Sequence, residues 1–183
     1  MTAETDAVMT VASLMALSAR TAPKSKGSDV ITVTIAGPDR CALLADAMQA
    51  YGKEHGIGFF LRDAENVLAS DACVCIGAQG DETLGLNCGG CGYATCSEMA
   101  EAVSAPGTPG NTFGGPNCVL RMADLGIAVG SAVKTASIHN VDNRIMYSAG
   151  VGAILCGWLK SSTVAFGIPL KASGKNIYFD RSR

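Results

Sequence analysis

The sequence predicts an α+β fold (or an α/β one), a small sheet flanked by helices and interrupted by one Cys/Gly-rich insertion. Three observations carry this. Strand-like segments, β-branched or continuously apolar, are interleaved with segments of helical period along the 183 residues. Apolar residues make up 48% and charged residues 16%, a globular composition rather than a disordered one. Between Gly80 and Asn117 the texture changes abruptly to Gly, Pro, Asn, Thr and Cys. The length suits a single domain over 1–183, with the insertion at 80–118 inside it.

The elements follow in order. Residues Thr5 to Arg20 place Val8, Val11, Ala12, Met15 and Ala16 near a 3.6 period, which predicts a helix ending before Pro23. "DVITVTIA" is β-branched and predicts a strand. "PDRCALLADAMQAYGKEHG" predicts a helix with Pro38 in its first turn and Gly56 as its stop. "RDAENVLAS" predicts a short helix, and "ACVCIGA", apolar throughout, a central strand. Within the insertion only Tyr93 to Val103 has helical character. Two helices rich in small residues are expected at Arg121–His139 and Asp142–Leu159, the second capped by Asp142. Their paired small residues, Gly126 with Gly130 and Ala149 with Ala153, suit tight core packing first and a subunit interface or a cofactor face second. "STVAFGIPL" predicts a third strand. The polar tail carries Tyr178 and Phe179, an aromatic pair able to dock on a neighbour.

Charge and patterning exclude several classes. A net charge of -2 leaves no electrostatic footprint for nucleic acid. The opening "MTAETDAVMT" has Glu4 and Asp6 where a signal peptide is basic, and the apolar run Ala7–Leu17 is too short to span a membrane. These features predict a cytoplasmic protein with no membrane segment. A reducing cytosol disfavours structural disulfides, so eight cysteines require another explanation.

"LNCGGCGYATCSEMAEAV" supplies it. The spacing is Cys88-x2-Cys91-x4-Cys96, with Cys118 in "GGPNC" as the candidate fourth thiolate. Thiolates suit zinc and iron–sulfur clusters alike. Structural zinc sites usually pair two C-x2-C knuckles, whereas here the third ligand follows after four residues and the fourth stands apart. Gly89, Gly90 and Gly92 allow backbone amides to approach cluster sulfurs. A helix opening near Tyr93 would put Cys96 in a first turn, where the dipole favours an anion. The pattern ranks a [4Fe–4S] cluster first, zinc second and thiol chemistry third. Cys41, Cys73, Cys75 and Cys156 sit in apolar segments, where buried cysteine behaves as a small hydrophobe, and Cys73 and Cys75 should point the same way.

The motif "NCGGCGYATCSEMA" with the later "PNC" resembles the four-cysteine [4Fe–4S] domain of the corrinoid iron–sulfur protein and of the Rnf complex B subunit. The 21 residues between Cys96 and Cys118 are more than that domain usually has. A wider resemblance runs through "ARTAPKSKG", "RDAENV", "NCGGCG", "GPNC", "DLGIAVGSAVKTAS", "NVDNRIMYSAGV" and "GIPLKASGKNIYFDR". It is to prokaryotic proteins described only as containing a ferredoxin domain. The first helix with "ARTAPKSKG", the strand after it and the "DLGIAVGSAVKTA" helix are similar to nitroreductases. That resemblance implies a nitroreductase-like sheet, a dimer and FMN at its interface. Two departures speak against the flavin. Residues 1–8 hold no Arg or Lys, and "PKSKGSD" stands where those proteins have an Asn-x-Gln-Pro-Trp turn. If a flavin binds, Arg20, Lys24 and Lys26 are the nearest contacts for its phosphate.

Other motifs fail on spacing. "GIAVGSAVKT" does not have Walker A spacing, and "GVGAILCG" lacks a third glycine and a preceding strand. His55 and His139 have no Ser or Cys partner in the sequence pattern, which gives a hydrolytic triad little support. Asp142, Asn143 and Arg144 suit helix capping with a charge pair. Arg62 with Asp63, and Asp180 with Arg181, suit ion pairs that tie loops down. The sequence therefore predicts an electron-transfer protein with an unidentified redox partner. An oxidoreductase in which the cluster feeds a flavin is the second reading, and an interaction module stabilised by zinc or a cluster is the third.

Overall fold

A computed structural model of the chain describes residues 2–103 and 112–179. Four antiparallel strands, β1 (Ile31–Ala36), β2 (Ala72–Ala78), β3 (Asp142–Asn143) and β4 (Val164–Lys171), pair in the order β1-β2-β4-β3. Six helices accompany them among the described residues: α1 (Ala3–Thr21), α2 (Pro38–His55), α3 (Gly58–Leu68), α4 (Cys96–Val103), α5 (Val119–Ile138) and α6 (Tyr147–Leu155).

The strand β2 explains the layering. All seven of its residues are buried, and the period of two splits them between faces. Ala72, Val74, Ile76 and Ala78 join α1, α5 and the β4 residues Ile168 and Leu170 in one core. Cys73 and Cys75 turn the other way, into a second core with α2, α3 and α6. The sheet is thus sandwiched, and its middle strand must be apolar on both sides. The central placement expected for "ACVCIGA" is what the pairing shows, and Cys73 and Cys75 share one face with sulfurs 3.8 Å apart.

Local signals fix most boundaries. Thr2 caps α1 by accepting from the Thr5 N–H at 3.3 Å. Pro38 opens α2, and Gly56 closes it at φ 67°. The second small-residue helix is shorter than expected at both ends. Asp142 and Asn143 pair with Lys171 and Leu170, and the Met146 N–H donates to the Gly167 carbonyl at 2.8 Å. Those groups are spent on the sheet edge, so the helix starts at Tyr147 and Asp142 does not cap it. Instead the Asp142 carboxylate accepts from Asn176 at 3.0 Å, and Arg144 donates to the Tyr178 carbonyl at 2.9 Å. The helix stops at Leu155 because Gly157 turns the chain at φ 71°.

Small residues serve α6 and α5 differently. A Cβ added at Gly150 would collide with the Ala165 carbonyl, so α6 lies directly on β4. Gly126 and Gly130 of α5 instead face open space. Elsewhere on α1 and α5, Leu14, Leu17, Ile127 and Ile138 are exposed.

The aromatic pair of the tail also divides. Tyr178 is fully buried within its own chain and hydrogen-bonded to Ser70 at 2.9 Å, while Phe179 lies exposed beneath Arg144. Arg62 and Asp63 form the expected ion pair at 2.6 Å, and the Ser148 hydroxyl also donates to Asp63. Asp180 and Arg181 lie outside the described residues. No described helix is long and apolar enough to cross a membrane.

Candidate metal centre

The cysteine-rich segment leaves the sheet at the end of β2 and returns at the start of α5. Cys96 is the first residue of α4, three positions later than a start at Tyr93. A capping box sets this start. The Glu98 N–H donates to the Thr95 hydroxyl at 3.2 Å, while the Glu98 carboxylate accepts from the N–H groups of Ala94 and Thr95 at 3.1 and 3.2 Å. Cys96 therefore lies in the first turn of a helix, as the spacing had suggested.

Its sulfur sits over a turn of backbone donors. The Asn87 N–H donates to Cys96 Sγ at 3.4 Å, and the Cys96 N–H donates to Asn87 Oδ1 at 2.8 Å. The Asn87 N–H, with the N–H groups of Leu86 and Gly85 and the Thr83 hydroxyl, holds the Cys96 thiol below the ordinary cysteine value. Partial desolvation opposes this without cancelling it.

Cys88 and Cys91 occupy the glycine loop, exposed and half-buried respectively. That loop rests on the start of α5. A Cβ added at Gly90 would come within 2.5 Å of Val119 Cγ1 and 3.8 Å of Cys88 Sγ, so only glycine fits between the two. Cys118, the residue before Val119, is the buried N-cap of α5. The Cys118 N–H donates to the Gly80 carbonyl at 2.6 Å. The Asn117 side chain accepts from Thr163 at 2.5 Å and donates to the Gly114 carbonyl at 2.7 Å. The fourth cysteine is thereby anchored to the ends of β2 and β4.

These contacts place the glycine loop and Cys118 at the N-terminal end of α5, and Asn87 joins Cys96 to the residue before Cys88. Among the described residues no three Cys, His, Asp or Glu side chains converge as the ligands of a single metal ion would. The donor set fits a thiolate-ligated group: soft sulfur ligands, a lowered thiol, backbone N–H groups at the sulfur and a glycine held against the partner element.

The basic residues proposed for a flavin phosphate have partners within the chain. Arg20 pairs with Asp29 at 2.5 Å and donates to the Ile31 carbonyl. Lys24, nearly buried, donates to the carbonyls of Ala19, Arg20 and Ala22 and so closes the end of α1. Lys26 reaches the Leu84 carbonyl at 2.8 Å, tying the cysteine segment to the turn after α1.

Three groups carry the site without having been singled out in the sequence. Asn87 sits beside Cys88 at φ 49°, a left-handed conformation that asparagine tolerates better than most residues. Arg121 is 1% exposed and pairs with Asp124 at 3.5 Å. It also donates to the carbonyls of Ser28 and Glu82 at 2.9 and 3.1 Å, while Asp124 accepts from the Ser25 N–H and hydroxyl at 2.9 Å. Asn117 with Thr163 is the third. The only sequence signal for the ion pair was an Arg and an Asp three apart on a helix otherwise rich in apolar residues.

Comparison with known proteins defines the setting. Residues 85–109 match the family described as "Putative Fe-S cluster", and residues 114–181 match "Uncharacterized protein containing a ferredoxin domain". A protein of Archaeoglobus fulgidus is 45% identical over 177 residues, covering 97% of this chain and 93% of its own. The chain belongs to this ferredoxin-domain family. Both family matches make it an iron–sulfur protein.

Its fold is nitroreductase-like. A BluB-like flavoprotein from Clostridium difficile 630 matches with a TM-score of 0.58 at 12% identity, over 95% of this chain and 84% of its own. Nitroreductase A from Vibrio parahaemolyticus matches at 0.54 and 11%, over 94% of this chain and 61% of its own. The NADPH:FMN oxidoreductase from Vibrio harveyi matches at 0.53 and 12%, over 94% and 63%. The ferredoxin-domain chain spans less than two thirds of either Vibrio protein. These likenesses establish the fold and leave the chemistry to the site.

Proposed function

We propose that this protein carries one [4Fe–4S] cluster on Cys88, Cys91, Cys96 and Cys118 and moves single electrons between partner proteins. Bound there, the cluster supplies a reversible one-electron couple. The observation that carries the reading is the junction of the glycine loop with the α5 N-terminus, where Gly90 lies against Val119 and Cys118 caps the helix. The chain's own residues then have defined tasks. Cys96 offers a thiol already biased toward thiolate. Gly80, Asn117 and Thr163 fix Cys118, and Lys26 and Arg121 tie the segment to the turn after α1 and to α5. The exposure of Cys88 leaves an edge of the site open to a partner.

The same reading places the protein in the cytoplasm as a homodimer without nucleic-acid or membrane partners. The outward Gly126 and Gly130 with the exposed Leu14, Leu17, Ile127 and Ile138 support the dimer. A second reading, a flavin-dependent oxidoreductase fed by the cluster, draws on the nitroreductase-like fold. The intrachain partners of Arg20, Lys24 and Lys26 weigh against their serving a flavin phosphate.

The test is a visible spectrum of anaerobically purified protein, with iron, sulfide and zinc counted on the same sample. The expected result is about four irons per chain and a broad band that dithionite bleaches, the signature of a four-thiolate cluster. Flavin bands would support the second reading. A colourless protein with one zinc would refute both.

A further inference from the structure

We propose that Asn87 is the positioning residue for Cys96 and sets the reduction potential of the cluster by holding its own N–H on that one sulfur. The inference deepens the four-cysteine reading and rests on it.

The geometry is reciprocal. Asn87 Oδ1 accepts the Cys96 N–H at 2.8 Å, and the Asn87 N–H donates to Cys96 Sγ at 3.4 Å. Two bonds thus lock residues nine apart into one orientation. The backbone is bent to make this possible. Gly85 and Asn87 both have positive φ, 67° and 49°, on either side of Leu86. These left-handed residues bend the segment so that the Asn87 N–H faces the Cys96 sulfur. Lys26 pins the preceding Leu84 carbonyl at 2.8 Å, which steadies the turn from outside. Asparagine meets two needs together at position 87: a side-chain oxygen to accept the Cys96 N–H and tolerance of the left-handed backbone.

The consequence for redox chemistry follows from charge. When the cluster takes up one electron no bond forms or breaks, and the added negative charge spreads onto the ligand sulfurs. Hydrogen bonds to a sulfur stabilise that charge and favour the reduced state. If the Asn87 side chain is removed, the N–H of residue 87 loses its fixed aim at Cys96 and the reduced state is disfavoured.

The test uses the full chain purified anaerobically, comparing wild type, Asn87→Gly and Asn87→Asp. Glycine keeps the left-handed backbone and deletes Oδ1, whereas aspartate keeps an acceptor oxygen. The readouts are a dithionite titration followed by electron paramagnetic resonance, and the rate of iron release to a chelator. Asn87→Gly is expected to weaken the one-electron reduction about tenfold, a shift of ~59 mV toward more negative potential. It should release iron several-fold faster, with Asn87→Asp retaining iron as wild type does. An Asn87→Gly protein that loads no cluster while Asn87→Asp loads fully also supports the proposal. Wild-type potential and iron retention in Asn87→Gly overturn it, as does equal loss of cluster in both variants. A wild-type protein that binds no cluster refutes the four-cysteine reading itself.

Discussion

Cysteines in two regions of the molecule have their thiols shifted in opposite directions. Cys96, in the glycine-rich segment, has its thiol lowered by backbone donors from Asn87, Leu86 and Gly85 and by Thr83. Under α2, burial pushes the Cys41 thiol up to about 12, with the neighbouring Cys75 adding to the effect. Cys73 is raised by its contact with Cys75 and by burial, and Cys156 is raised by burial. One residue type thus has its thiol lowered where backbone amides face it and raised where burial removes water. Sequence composition does not separate the two sets; glycine spacing in one and strand or helix period in the other do.

The largest effect that could break this contrast is on metal content. Cys118→Ala should lose or convert the cluster, with iron falling well below four per chain, while Cys156→Ala should keep it. Equal iron in both variants would dissolve the distinction.

A second experiment tests whether the two regions share an anchor. Arg121 joins α5 to Ser28 and Glu82 from a site 1% exposed, and its loss leaves Asp124 buried at 2% exposure. Breaking a buried ion pair from one side costs ~3–5 kcal/mol, so Arg121→Ala should shift the denaturation midpoint sharply. It should also loosen the segment that begins at Glu82, seen as faster iron loss. A stable variant with slow iron release would show that the segment holds without this anchor.

The smallest effect sharpens the core side of the comparison. Above pH 9, the ordinary cysteine value here, the unfolded chain loses the Cys41 proton, while the folded chain keeps it until about 12. The unfolded state then binds fewer protons, so stability falls as pH rises through that window, by at most ~1.4 kcal/mol per pH unit for each such thiol. Cys41→Ala should flatten this decline in a chemical denaturation series. An unchanged slope would mean that Cys41 is not held neutral.

The segments that resolved well from sequence were those whose signals are local. The apolar run of β2, and Pro38 and Gly56 bounding α2, act within a few residues. The stop of α1 before Pro23 belongs with them. The misjudged boundaries were those where a distant partner decides. Residues 142–146 look like a helix start, yet β4 claims their backbone groups, and Tyr178 looks like a free aromatic until Ser70 and the second core enclose it.

The metal centre divides in the same way. The sequence by itself determined that soft thiols stand among glycines in a C-x2-C-x4-C spacing and that Cys96 falls in the first turn of a helix. Only the tertiary structure decided that Cys118 caps α5 beside the glycine loop, that Arg121 and Asp124 are buried together, and that Asn87 closes on Cys96. Those arrangements depend on chain segments that meet after the sheet and α5 have packed, and spacing along the chain carries no record of which backbone groups will then be free to pair.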